Sequence, residues 1–184
     1  DAVELRVIGD KCGGIGQVGR IAKALVRLNK PHWWLVLFIG HNGLESVPES
    51  VWELANLEEL RLDGNKLKTL SPAIAKLTKL RRLWIVWNLF EGFPETVCKL
   101  EQLEALSAYG CQLSVLPSSF ASLRNLLELD LGSNAFEQFP ELICELRNLR
   151  TLMMYANKLS SLPQSFANLR ELRVLQMSNN RFKE

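Results

Sequence analysis

Leu57-Glu-Glu-Leu60-Arg-Leu62-Asp-Gly-Asn65-Lys-Leu67 is an eleven-residue pattern that returns every 23 positions until the sequence stops. With x for any residue it reads LxxLxLxxNxL, and its asparagine place is filled by Asn42, Asn65, Asn88, Cys111, Asn134, Asn157 and Asn180. A sustained period of this length marks a stacked array, in which each unit covers the apolar face of its neighbour and builds a core that no unit has alone.

Within the pattern, Leu37, Leu60, Leu83, Leu106, Leu129, Leu152 and Leu175 form one row, with Ile39, Leu62, Ile85, Ala108, Leu131, Met154 and Met177 beside it. Alternation of this kind describes a strand with one face inward. The chain must then turn, and an amide side chain there satisfies backbone groups that a buried turn would leave unpaired. The second half of each unit opens on Val47-Pro48, Phe93-Pro94, Leu116-Pro117, Phe139-Pro140 or Leu162-Pro163, with Ser71-Pro72 displaced by one residue. Proline fixes an extended entry. Pairs such as Val51 and Leu54, or Ile74 and Leu77, then place two apolar residues on one face of a single helical turn.

Two regions follow. Residues 34 to 184 are the array, with seven units of which the last, from 172, is partial. Residues 1 to 33 are irregular: a strand over Glu4 to Ile8, a Gly-rich run from Gly9 to Gly19, and then a helix carrying Ile21, Leu25 and Leu28 that stops before Pro31. Its apolar stripe is expected to close the amino-terminal end of the array. The last unit stops at Phe182-Lys-Glu without a returning segment, so the native chain is expected to continue past Glu184.

Twenty-two basic against 20 acidic side chains give a net charge of +2, too small for a nucleic-acid footprint. No apolar run reaches the roughly 18 residues of a membrane span. Cys98 and Cys144 hold one repeat position two units apart, about 10 Å at the usual strand spacing and beyond disulfide reach. Together with the lack of any N-x-S/T site, this favours a reducing, cytoplasmic setting.

LxxLxLxxNxL joined to LPxxIxxL in 23-residue units resembles the leucine-rich repeat family, in the short form found in Ras-pathway and polarity scaffolds, Roco-type proteins and bacterial effectors. The resemblance covers about 150 of the 184 residues. It implies an α/β fold: a right-handed solenoid with a concave parallel sheet, short helical or 3-10 turns on the convex side, and a partner protein or peptide held on the concave face. Cys111, Ala108 and Ser71-Pro72 depart from the pattern locally. Ile15-Gly16-Gln-Val-Gly19 and Ile21-Ala22-Lys-Ala24-Leu25 also resemble pieces of the longer, ribonuclease-inhibitor-like repeat, with two residues fewer between them.

Gly14-Ile-Gly16-Gln-Val-Gly19 satisfies the letter of the dinucleotide fingerprint, but the acidic ribose ligand and the alternating strand and helix units are missing, so a tight turn in a capping unit is the better reading. His32 and His41 have no metal ligand at suitable spacing, and no serine is paired with a base. The sequence therefore offers no catalytic residue, cofactor or metal site, and the chain reads as a non-enzymatic recognition module. An alternative is a ligand- or peptide-sensing domain that regulates an attached enzyme.

The outward rows of the sheet carry the informative residues. Phe38, Arg61, Trp84, Asp130 and Met153 stand between the strand leucines, and Asp63, Val86, Tyr109 and Tyr155 two places later, with Trp87 at a strand exit and Arg82 at a strand start. Trp and Tyr beside Arg is the composition enriched at binding hot spots. Two clusters are expected: Trp84, Val86, Trp87 and Tyr109 as the larger, Met153 with Tyr155 as the smaller. Trp84 and Trp87 are expected at the centre, Trp84 with Arg61 and Ser107 as lateral neighbours and Trp87 between Gly64 and Gly110, two glycines that leave its indole uncrowded. Trp34 and Trp52 fall in core positions instead.

Overall fold

The structure, a computed structural model, describes residues 3–8, 15–28 and 33–183. Eight strands form one open parallel sheet in sequence order: β1 (Val3–Ile8), β2 (Trp33–Phe38), β3 (Leu57–Arg61), β4 (Arg82–Trp84), β5 (Ala105–Ser107), β6 (Glu128–Asp130), β7 (Thr151–Met153) and β8 (Val174–Gln176). From β3 on, each strand pairs with the next in a register of 23 residues, so that Leu60, Leu83, Leu106, Leu129, Leu152 and Leu175 lie side by side. The unit length thereby becomes a straight row of side chains.

The row from Leu37 to Leu152 is buried throughout, as is the second row from Ile39 to Met154. Both fade at the last unit, where Leu175 is 42% exposed and Met177 half-buried. Opposite the sheet run five-residue 3-10 helices, Glu49–Glu53, Pro72–Lys76, Glu95–Lys99, Ser118–Ser122, Glu141–Glu145 and Gln164–Asn168. Proline precedes all but one in an extended conformation. The exception starts on Pro72, and there Ser71 Oγ takes over by accepting from Ala73 N at 3.3 Å. Two Phe rings that precede a proline stack edge-on against helix rings one unit later, Phe93 on Phe120 and Phe139 on Phe166.

Asparagine acts as expected. Asn65 Oδ1 accepts from Leu44 N at 3.0 Å while its amide donates to the carbonyls of Ile39 and Leu62, and Asn88, Asn134, Asn157 and Asn180 repeat the arrangement. At Cys111 the thiol replaces only half of it, donating to Ile85 O at 3.1 Å. Burial raises that thiol to about 11, so it stays protonated and able to donate.

Helix α1 (Ile15–Leu28) begins earlier than the sequence suggests. Gly16 and Gly19 lie inside it, which corrects the reading of these two as part of a tight turn; Gly14 and the preceding run fall outside the described residues. Gly19 sits against Pro48, and its carbonyl accepts from Ser50 Oγ at 3.2 Å. Val18, Ala22 and Leu25 are buried among the array leucines, and β1 extends the sheet beyond β2 in parallel. His32 and Trp34 carry no described side chain, whereas Trp52 is buried as expected.

Three residues beyond each strand from β2 to β8 the backbone takes the same conformation. His41, Gly64, Trp87, Gly110, Ser133, Ala156 and Asn179, one per unit, all have φ between 52° and 67°. For a residue with a side chain this left-handed conformation is unfavourable by about 1–2 kcal/mol, and it recurs because the next residue must aim its amide back under the strands.

Candidate functional site

All eleven sequence-derived candidates lie on or at the end of successive strands of one sheet face, but they group differently from the two expected clusters. In the first group, β2, β3 and β4 place Phe38, Arg61 and Trp84 in register. The Arg61 guanidinium carbon lies 4.8 Å from the Phe38 ring centre and 4.3 Å from that of Trp84, so the cation is held between two aromatic faces. Trp84 is accordingly half-buried. Arg61 and Ser107 flank Trp84 in register, as expected from the sequence, and Arg61 also covers the indole.

Arg61 is fixed from a third side. Its Nε donates to Glu59 Oε1 at 3.0 Å, and Arg82 Nε donates to Glu59 Oε2 at 3.1 Å. Glu59 itself is buried to 8% exposure. The sequence reading missed it, although it stands one alternation step before Arg61 and belongs to the outward row Glu59, Arg82, Ala105, Glu128 and Thr151. Asp63 lies beyond this group. Burial raises its carboxyl, opposed first by the Arg61 charge, and its Oδ1 has no hydrogen-bond partner.

The second group joins what the sequence separated. Trp87 meets Tyr109 edge-on with ring centres 5.1 Å apart, and Tyr109 meets Tyr155 at 5.7 Å although a whole unit lies between them. Gly132 makes this possible: a Cβ there would stand 2.8 Å from Tyr155 Cε1. The missing side chain lets Tyr155 lean back across the gap. Trp87 is 54% exposed, yet its indole lies on Gly110, where a Cβ would stand 2.7 Å from Cε3. It is therefore free toward solvent and in contact on the side of the next unit, which corrects the view that both flanking glycines leave it uncrowded.

Between Trp84 and Tyr155 the face dips into a cavity of about 350 Å³, with Val86, Ser107, Tyr109, Glu128, Asp130, Thr151 and Met153 among its lining. In its lining, Ser107 donates to Asp130 Oδ2 at 3.2 Å, while Asp130 Oδ1 accepts from Gly132 N at 2.9 Å. Burial raises the Asp130 carboxyl despite these bonds, and it raises the Tyr155 hydroxyl, with the Asp130 charge adding to the effect. A larger cleft of about 530 Å³ opens among the turns after the 3-10 helices, lined by Arg124, Cys144, Glu145, Arg147, Asn148 and Asn168. It gathers no aromatic ring, and burial keeps the Cys144 thiol protonated.

Among the described residues there is no group of three His, Cys, Asp or Glu side chains able to hold a metal, and no helix long and apolar enough to cross a membrane. Cys98, Cys111 and Cys144 are free and buried.

The model of the family described as Leucine Rich Repeat matches residues 56–77 and 148–169. The array is a leucine-rich-repeat solenoid. Among solved structures, a leucine-rich-repeat protein of Leptospira interrogans is 26% identical with a TM-score of 0.73, over 86% of this chain and 46% of its own. Internalin C2 of Listeria monocytogenes is 25% identical with a TM-score of 0.72, covering 88% of this chain and 67% of that one. A TLR13–ssRNA13 complex shares the fold at 24% identity and a TM-score of 0.71, over 91% of this chain and 27% of that one. This solenoid thus spans less than half the length of the Leptospira protein. No curated protein matches.

Proposed function

We propose that this solenoid is a non-enzymatic recognition module that holds another protein against its sheet face, as part of a larger signalling, scaffold or effector protein. The observation that carries the reading is the continuous strip of Trp87, Tyr109 and Tyr155, three rings joined through Tyr109 across four units with an indole half open to solvent. Aromatic rings fixed by their neighbours lose little conformational entropy on contact and bury a large apolar area. Residues 1 to 33 act in this reading as the cover of the amino-terminal edge, consistent with the burial of Val18, Ala22 and Leu25 against the array. The three free, buried cysteines suit a reducing, cytoplasmic setting.

The test is quantitative capture of binding proteins by wild-type chain and by Trp87→Ala, followed by hydrogen-exchange footprinting of the captured complex. Loss of an exposed hot-spot ring should weaken binding by about thirtyfold and leave the melting temperature unchanged, with protection falling on β3 to β7. Equal capture by both forms, or a footprint confined to the 3-10 helices, would overturn the reading.

A further inference from the structure

The sheet face contains one guanidinium site that is filled and a second arrangement of the same kind that is not. In the filled one, Arg61 lies between Phe38 and Trp84 and donates to Glu59, whose other oxygen is taken by Arg82. Two aromatic faces and a carboxylate thus suffice to hold a guanidinium on this sheet.

Three units further on, the outward row that carries Glu59 carries Glu128, and the row that carries Arg61 carries Asp130. Here no cation answers the acids. The strand neighbours of Glu128 are Ala105 and Thr151, and those of Asp130 are Ser107 and Met153. Neither carboxylate has an ion pair among the described residues. The space where a long basic side chain would lie is the 350 Å³ cavity, with the rings of Trp84, Tyr109 and Tyr155 around it and no Lys or Arg in its lining. This is the small end of the range for ligand pockets, suited to one side chain rather than to a large ligand.

We propose that this cavity takes an arginine side chain projecting from the bound protein, with Asp130 and Glu128 as its carboxylates and Trp84 and Tyr155 as its aromatic walls. The proposal rests on the sheet face being the partner surface and adds what that surface selects. Guanidinium is favoured over ammonium because its flat face stacks on rings while its edge donates to a carboxylate. Each Asp130 oxygen already accepts one hydrogen bond, from Ser107 and from Gly132, which fixes the carboxylate and leaves lone pairs open. Burial is the first cause of the raised Asp130 carboxyl and the raised Tyr155 hydroxyl, and only hydrogen bonds, with no cation, oppose it at Asp130.

The experiment uses N-acetyl-arginine amide as the probe, with the citrulline and lysine amides as neutral and ammonium controls, followed by NMR shifts of the assigned protein. The expected result is saturable shifts at Ser107, Asp130 and Tyr155 with the arginine probe, weak ones with lysine and none with citrulline. Asp130→Asn should weaken the arginine probe about tenfold or more, the worth of a charge-assisted hydrogen bond, and Glu101→Gln, exposed in the turn after a 3-10 helix and outside the cavity, should not change it. Absence of saturable shifts, lysine equal to arginine, or an unaffected Asp130→Asn would overturn the proposal. Capture lost in Trp87→Ala but unaltered in Asp130→Asn would overturn this pocket alone and leave the sheet face as the partner surface.

Discussion

The amino-terminal and carboxy-terminal halves of the array use one backbone and treat charge in opposite ways. From β3 to β5 the charged side chains answer one another: Glu59 takes Arg61 and Arg82 on the sheet face, and Arg81 bridges Glu58 and Glu104 at the strand starts. From β6 to β8 they do not on the sheet face, although Lys158 pairs with Glu137 at 3.4 Å in the loops beyond it. Glu128 and Asp130 stand on the sheet face without a cation, and Arg150 and Arg173 follow each other at the place that Glu58, Arg81 and Glu104 occupy earlier, with no ion pair among the described residues. Like charges side by side on neighbouring strands are destabilising. A repeat fold thus separates two tasks by position, with self-sufficient units at one end and units at the other whose charges are left for something else to meet.

The largest test of this contrast asks whether the two ends are equally part of the core. Leu106→Ala should destabilise by about 2–5 kcal/mol, because the site is closed on all sides. Leu175→Ala, in the same row but 42% exposed, should lose about 1 kcal/mol or less. Denaturant titration reads both, and equal losses would show the last unit to be as firmly packed as the rest.

A smaller effect separates the carboxylates. Glu59→Gln removes the charge that two guanidiniums share and should lose about 1 kcal/mol, discounted for the partial exposure of both arginines. Glu128→Gln should stay within about 0.5 kcal/mol. If the two substitutions prove equal in thermal melts, the contrast in charge pairing has no energetic content.

The smallest effect changes sign. Asp130 has a folded-state value raised above 3.8, so its contribution to stability is fully present below pH 3.8 and is lost as pH rises through the folded value. Asp130→Asn keeps an acceptor for Gly132 N and a partner for Ser107 while removing the desolvated charge. The variant should melt slightly higher than wild type at neutral pH, and the gain should vanish below pH 3.8. A variant less stable at neutral pH would mean that the hydrogen bonds outweigh the burial of charge.

Much of the fold is legible in the sequence because leucine and asparagine act by chemistry that recurs in type. A row that must be apolar stays apolar, and the amide at Asn65 or Asn157 is the one side chain that donates and accepts as the turn requires. The left-handed row is illegible for the opposite reason: His41, Gly64, Trp87, Gly110, Ser133, Ala156 and Asn179 share a dihedral angle and no chemistry. At the candidate site the outward residues were readable from alternation, but their grouping was not. Tyr155 reaches Tyr109 only through the space left at Gly132, and Arg61, a neighbour readable from the register, lays its guanidinium between Trp84 and Phe38, both consequences of side-chain reach rather than of position.

The seat of Trp87 on Gly110 bears on whether units of this solenoid are interchangeable. Excision of residues 103 to 125 would preserve every leucine row, yet it would bring Trp87 beside Ser133, whose Cβ would occupy the space the indole now fills. His41 on Gly64 is bound by the same condition, since a Cβ on that glycine would stand 2.4 Å from the imidazole. A ring at a strand exit and a glycine one period later must therefore be kept together as a pair. The smallest portion of this chain that can be duplicated, deleted or transplanted around Trp87 is two units long, although the period of the sequence is one.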